Sequence, residues 1–109
     1  MMENSHSLAF AKAVADGTRQ KIMNLLCCRW LCVGEVVVQL GNVSQPTVSH
    51  HLAVLRDAGL VHVQREGKQV FYSLNQDAVA VCCDVLMRNF APDVVAVESY
   101  TEQKASGEN

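Results

Sequence analysis

Three cysteines fall within six residues in Leu25-Leu26-Cys27-Cys28-Arg29-Trp30-Leu31-Cys32, and two more stand side by side at Cys82-Cys83. Five thiols with two adjacent pairs make a poor framework for structural disulfides. They suit thiol chemistry in a reducing compartment. Three soft sulfur ligands match trivalent arsenic or antimony, two or three match mercury, and three or four match cadmium. The competing chemistry is oxidation, with a disulfide or polysulfide bridge between clusters. A thiol enzyme is the weaker reading, because no C-x-x-C sits on a βαβ frame and no His stands near the cysteines in sequence to activate them. Packing is the remaining role, since free cysteine behaves as a small hydrophobe.

The elements that position these thiols belong to one small domain. The chain has 109 residues, half of them apolar, with a net charge of −2. We expect one folded domain over residues 1–100 and a flexible tail over 101–109. There is no signal-peptide pattern and no apolar run of the roughly 18 residues that span a bilayer. The expectation is a cytoplasmic protein with no membrane partner. Charge is segregated: Lys12 to Lys68 holds seven basic against four acidic residues, and Gln69 onward holds two against six. A mildly basic centre beside an acidic end suits a protein that meets phosphate through one surface.

Hydrophobic periodicity predicts a first helix from Ser5 to about Ala15 and a second, capped by Asp16, from Arg19 to Cys28. Leu31 to Val33 reads as a short extended piece. A third helix spans Gly34 to Leu40 and stops at Gly41-Asn42. Ser44 caps a fourth helix that runs to about Asp57, with Pro46 tolerable in its first turn. Leu60 to Leu74 alternates around Glu66-Gly67 as a β-hairpin. A last helix covers Asp77 to Phe90; a short apolar piece after Pro92 extends to about Tyr100. The fold class is mainly α (α+β): a winged helix-turn-helix with a two-stranded hairpin wing.

In the fourth helix Val48, Leu52 and Leu55 share one face at 100° per residue. His50 points the opposite way with Thr47, and Gln45, Ser49 and His51 flank that outward face. Gln, Ser and Thr carry short donor and acceptor groups that read base edges and phosphates. Arg65 and Lys68 at the wing tip are placed to reach a neighbouring phosphate. Seven residues are therefore the candidate DNA contacts: Gln45, Thr47, Ser49, His50, His51, Arg65 and Lys68.

The run SQPTVSHHLAVLRDAGLV followed by REGKQVFYSL resembles the recognition helix and wing of the ArsR/SmtB family of winged-helix repressors. Asp16-Gly17-Thr18-Arg19 resembles the family's D-P-T-R opening of the second helix, with Gly17 where proline is usual. Leu31 to Val36 resembles its next segment. The resemblance covers roughly residues 8 to 90. It implies a homodimer joined by the first and last helices and no enzymatic activity. It also implies repression through double-stranded operator DNA, relieved when an inducer binds or modifies the protein.

The resemblance further implies that the family's usual sensing sites are incomplete here. Of the arsenic-type motif on the third helix only Cys32 is present, with Gly34 in place of the second cysteine. The zinc- and nickel-type site is missing because Gln76 to Asn89 contain no His. The dithiol positions of sulfide-responsive relatives are Asn24 and Ala91. The candidate ligands are therefore Cys27, Cys28, Cys32, Cys82 and Cys83. Read as helical, Cys27 and Cys28 diverge by about 100° and would not bind one ion together. Cys28 and Cys32 could converge across a helix end, with a third thiolate from Cys27 or from the Cys82-Cys83 pair. Cys32 opens the third helix, where exposed N–H groups favour a thiolate, and Arg29 would push the same way. Cys82 and Cys83 are expected on the apolar stripe of Val79, Leu86 and Phe90. The expected function is a repressor released by arsenite, antimonite, mercury or cadmium, without a permanent cofactor. The alternative is a redox- or reactive-sulfur-responsive repressor of the same fold.

Overall fold

The computed structural model describes residues 3–94. The elements are α1 (Glu3–Val14), α2 (Gly17–Leu25), β1 (Leu31–Cys32), α3 (Val33–Leu40), α4 (Gln45–Asp57), β2 (Val61–Glu66), β3 (Gln69–Leu74) and α5 (Gln76–Phe90). The apolar piece expected up to Tyr100 and the tail expected over 101–109 lie outside the described residues. None of the described helices is long and apolar enough to cross a membrane.

Capping chemistry explains most of the boundaries. The Asp16 carboxylate accepts from the Arg19 backbone N–H at 2.9 Å, and that bond holds its pKa below the usual carboxylate range. Ser44 accepts from the Thr47 N–H at the start of α4. At its end Gly59 N–H reaches Arg56 O and Leu60 N–H reaches Leu55 O. Gly59 sits at φ 75, and the fully buried Leu60 follows it. This is a Schellman closure, whose left-handed residue favours glycine. Asn75 caps α5 by accepting from the Ala78 N–H at 3.2 Å.

The sheet has three antiparallel strands in the order β1-β3-β2, one more than the two-stranded wing expected. Leu31 pairs with Tyr72 and Cys32 with Phe71. Two residues give too short a run to show period-2 alternation, so the third strand is defined only by its partner. The wing itself follows the alternation, with Val61 opposite Leu74 and Arg65 opposite Val70 around Gly67 at φ 63. Only its base is buried: Val61 is in the core, whereas Val63 is already exposed. Ile22, Leu26, Val36, Val48, Leu52, Leu55 and Leu60 form the fully buried centre, on which α2, α3 and α4 converge.

The helix containing Cys27 and Cys28 ends earlier than expected. Leu26 is the C-cap of α2 and Cys28 adopts φ 71. The chain turns there because Leu26 must enter the core and its carbonyl accepts from Leu74 N–H at 2.9 Å. A continuing helix would claim that carbonyl for itself.

One side chain joins three helices. Arg19 Nε donates to Ala13 O at 2.9 Å and Nη2 donates to Lys12 O at 3.3 Å, satisfying carbonyls at the end of α1. Its Nη1 donates to His51 Nδ1 at 3.2 Å on α4. Guanidinium has no acceptor, so Nδ1 must be unprotonated and the ring neutral. His51 is 8% exposed, and burial lowers its pKa, with Arg19 and His50 acting in the same sense against Asp16.

Two outcomes follow. Arg19→Leu removes the donors to all three acceptors and lowers unfolding free energy by about 2 kcal/mol, read as a lower urea midpoint at unchanged m-value. Because native His51 binds its proton less readily than the unfolded imidazole, the unfolded state holds more protons between the native pKa and about 6.5. Stability therefore rises with pH across that window and levels off above it. His51→Asn, which keeps an acceptor near Nδ1, removes that part of the slope in urea titrations between about pH 4 and 8.

Candidate nucleic-acid interface and thiol pair

On α4 the structure separates the candidate readers into two groups. Gln45, Thr47, Ser49 and His50 are exposed on one side, opposite buried Val48, Leu52 and Leu55. His51 differs from expectation: it is buried and turned to Arg19, so its Nδ1 is not available to a base edge. The wheel placed it at the flank of the outward face, and its ring crosses to the α2 side because a guanidinium waits there. Ser44 Oγ donates to Thr47 Oγ1 at 3.0 Å, which leaves the Thr47 proton directed elsewhere, toward solvent or a phosphate. Arg65 and Lys68 are exposed on either side of the wing turn. A capped helix with four short polar arms and a two-cation hairpin tip can enter a major groove and touch the flanking backbone.

The cysteines divide into three environments. Cys82 is buried, its thiol facing His6 O at 3.9 Å, and burial pushes its pKa up. Cys83 is exposed, as is Phe90, although both fall on the helical stripe of Val79 and Leu86; α1 packs on the Cys82 side of α5, so only that thiol is covered. Cys32 is half-buried as the N-cap of α3, and its N–H donates to Glu35 Oε1 at 2.9 Å. Arg29 does not turn toward it: Nε donates back to Leu25 O, capping α2.

Cys27 and Cys28 are exposed and their sulfurs lie 3.5 Å apart. This reverses the expectation that the two diverge. The reason is the left-handed backbone at Cys28, a conformation that costs a non-glycine residue about 1–2 kcal/mol and that no helical wheel represents. Cys28 Sγ also accepts from Gln76 Nε2 at 3.3 Å, which ties the turn to the first residue of α5. The hydrogen bond to Cys28 raises the Cys27 pKa, so the pair holds its protons jointly. Among the described residues no three Cys, His, Asp or Glu side chains approach closely enough to share one ion. The expected grouping of Cys28, Cys32 and a third sulfur is thus not assembled within one chain. Sequence reasoning missed Arg19 as a structural joint and Gln76 as a sulfur partner. The first carried a signal, a basic side chain three residues after a helix cap; the second carried none.

Comparison with known proteins agrees with this geometry. Residues 16–63 match the family model described as bacterial regulatory protein, arsR family. The transcriptional activator HlyU of Vibrio cholerae is 37% identical over 89 residues, covering 81% of this chain and 82% of that protein. A probable mercury resistance operon repressor of Streptomyces lividans is 33% identical over 99 residues, covering 91% and 78%. The solved structure of reduced HlyU from V. cholerae superposes with a TM-score of 0.64 at 33% identity, covering 83% of this chain and 94% of that one. With its helix-turn-helix, wing and these relatives, the chain is a DNA-binding transcriptional regulator rather than an enzyme, and it belongs to the arsR family of bacterial regulatory proteins.

Proposed function

We propose that the protein is a homodimeric repressor that leaves its operator when a thiophilic metal or metalloid binds its cysteine thiolates. The observation that carries this reading is the Cys27–Cys28 pair, two accessible sulfurs in contact and hydrogen-bonded to α5 through Gln76. Soft ions of the arsenite, antimonite, mercury and cadmium class select such ligands over oxygen and nitrogen. That one relative is named for mercury resistance supports the same reading. Cys32, Cys82 and Cys83 are the further candidate ligands, through a second subunit or after movement of α5.

The dimer is proposed across α1 and α5. These helices pack on each other and expose Leu8, Val81 and Phe90, large apolar side chains that a monomer gains nothing by presenting to water. Two subunits joined there would present two α4 helices to successive major grooves, about 34 Å apart. A ligand that binds better to one spacing of these helices shifts the population by its differential affinity, and only by that. Because Gln76 opens the helix proposed for the interface, a change at Cys28 acts at the edge of the dimer contact. The second reading, a redox or reactive-sulfur switch, rests on the same two sulfurs, placed where oxidation would bridge them.

Operator binding tests both halves. Lys68→Ala should weaken binding on every sequence alike and lower the salt slope by about 0.9, whereas Gln45→Ala should cost about tenfold on the operator and little elsewhere. His50→Ala, measured the same way, should weaken binding through direct contact without loss of thermal stability. In gel shifts with the reduced protein, mercury or arsenite should release the DNA, and Cys27→Ser with Cys28→Ser should repress normally but no longer respond. A double variant that still responds removes the pair from the sensing role. Release by persulfide or peroxide alone, with a mass loss of two hydrogens, favours the redox reading instead.

A further inference from the structure

We infer that Cys27, Cys28 and the groove beside them form a site for a trivalent arsenical carrying one organic substituent, R–As(OH)2. The inference takes the thiophilic-ligand reading above as its starting point and names the ligand class. Three observations carry it. Two sulfurs are in contact, and no third protein donor stands with them among the described residues. Inorganic arsenite has three exchangeable hydroxyls and gains most from three thiolates. A monosubstituted arsenical has two, its third valence being closed by carbon.

The spacing fits as well. Two bonds of about 2.3 Å, the length of a soft ion–thiolate bond, meeting at about 100° span about 3.5 Å, which is the separation of the two Sγ atoms. A linear two-coordinate mercury would require about 4.6 Å with the same bonds. Finally, Cys27 lines an apolar groove of about 320 Å³ between α1, α2 and the start of α5, together with Phe10, Val14, Met23, Leu74 and Val79. Its size is at the lower end of small-molecule pockets and suits a phenyl ring. An ion without an organic group would leave that surface unused.

The reaction is ligand exchange without redox change. Two As–O bonds break and two As–S bonds form. Each thiol proton leaves with a displaced hydroxide as water, and arsenic stays trivalent. Gln76 Nε2, already donating to Cys28 Sγ, holds that sulfur in place while the second bond closes.

The test uses the reduced full-length chain with phenylarsonous acid, methylarsonous acid and inorganic arsenite, followed by free-thiol count, intact mass and Kd. The expected result is one phenylarsenic per chain with loss of two of the five thiols. The phenyl compound should bind at least about tenfold more tightly than the methyl compound because of the extra apolar area buried, and both more tightly than arsenite. Cys27→Ser and Cys28→Ser should each abolish this, while Cys32→Ser, Cys82→Ser and Cys83→Ser should not. Equal affinity for phenyl and methyl compounds overturns the groove's role and the inference with it. Arsenite binding as tightly with loss of three thiols also overturns it, yet leaves the sensor reading intact if operator DNA is released. Phenylarsenic bound at the pair with operator affinity unchanged confirms the site and refutes the sensor reading.

Discussion

The Arg19 guanidinium is the joint on which the arrangement of helices depends. It donates to two carbonyls at the end of α1 and to the neutral ring of His51 in the middle of α4, while its own N–H is held by Asp16. Three acceptors and one obligate donor are thereby bonded through a single side chain. The recognition helix cannot turn about its axis without uncovering Leu52 and Leu55 or breaking this bond. The outward direction of Gln45, Thr47, Ser49 and His50 is thus set from the buried side of the helix.

The same economy links the thiol turn to the rest of the molecule. Leu26 seats in the core, its carbonyl receives Leu74 N–H, and one residue later Asn75 N–H donates to Leu60 O. The turn at Cys27 and Cys28, the end of β3, the start of α5 and the end of α4 are therefore successive links of one hydrogen-bonded chain. A ligand that reshapes the turn acts on groups already bonded to the segment following the recognition helix. Sub-ångström changes at such a point become alternatives between packed arrangements, because close-packed interiors do not deform continuously.

Charge is used locally in this protein. A net charge of −2 argues against broad attraction to nucleic acid, yet Arg65 and Lys68 stand exposed at the wing tip and the acidic residues are concentrated after Gln69. Short-range placement of a few cations near phosphate outweighs the distant excess of carboxylates once separations exceed the screening length of about 8 Å.

The sequence by itself determined the elements whose signals are local. Caps at Asp16 and Ser44, the glycine stop after α3, the alternation of the hairpin and the apolar stripe of α4 all depend on residues within a few positions of one another, and each appears in the structure at the expected place. The family resemblance was carried by those same residues. Tertiary structure decided the rest: the third strand, the burial of His51, the separation of Cys82 from Cys83 and the meeting of Cys27 with Cys28. Each of these depends on a partner 30 or more residues away, such as Arg19 for His51 or Leu74 for the carbonyl of Leu26. Helical periodicity places a side chain around an axis; it cannot say where the axis ends when a distant strand claims the next carbonyl.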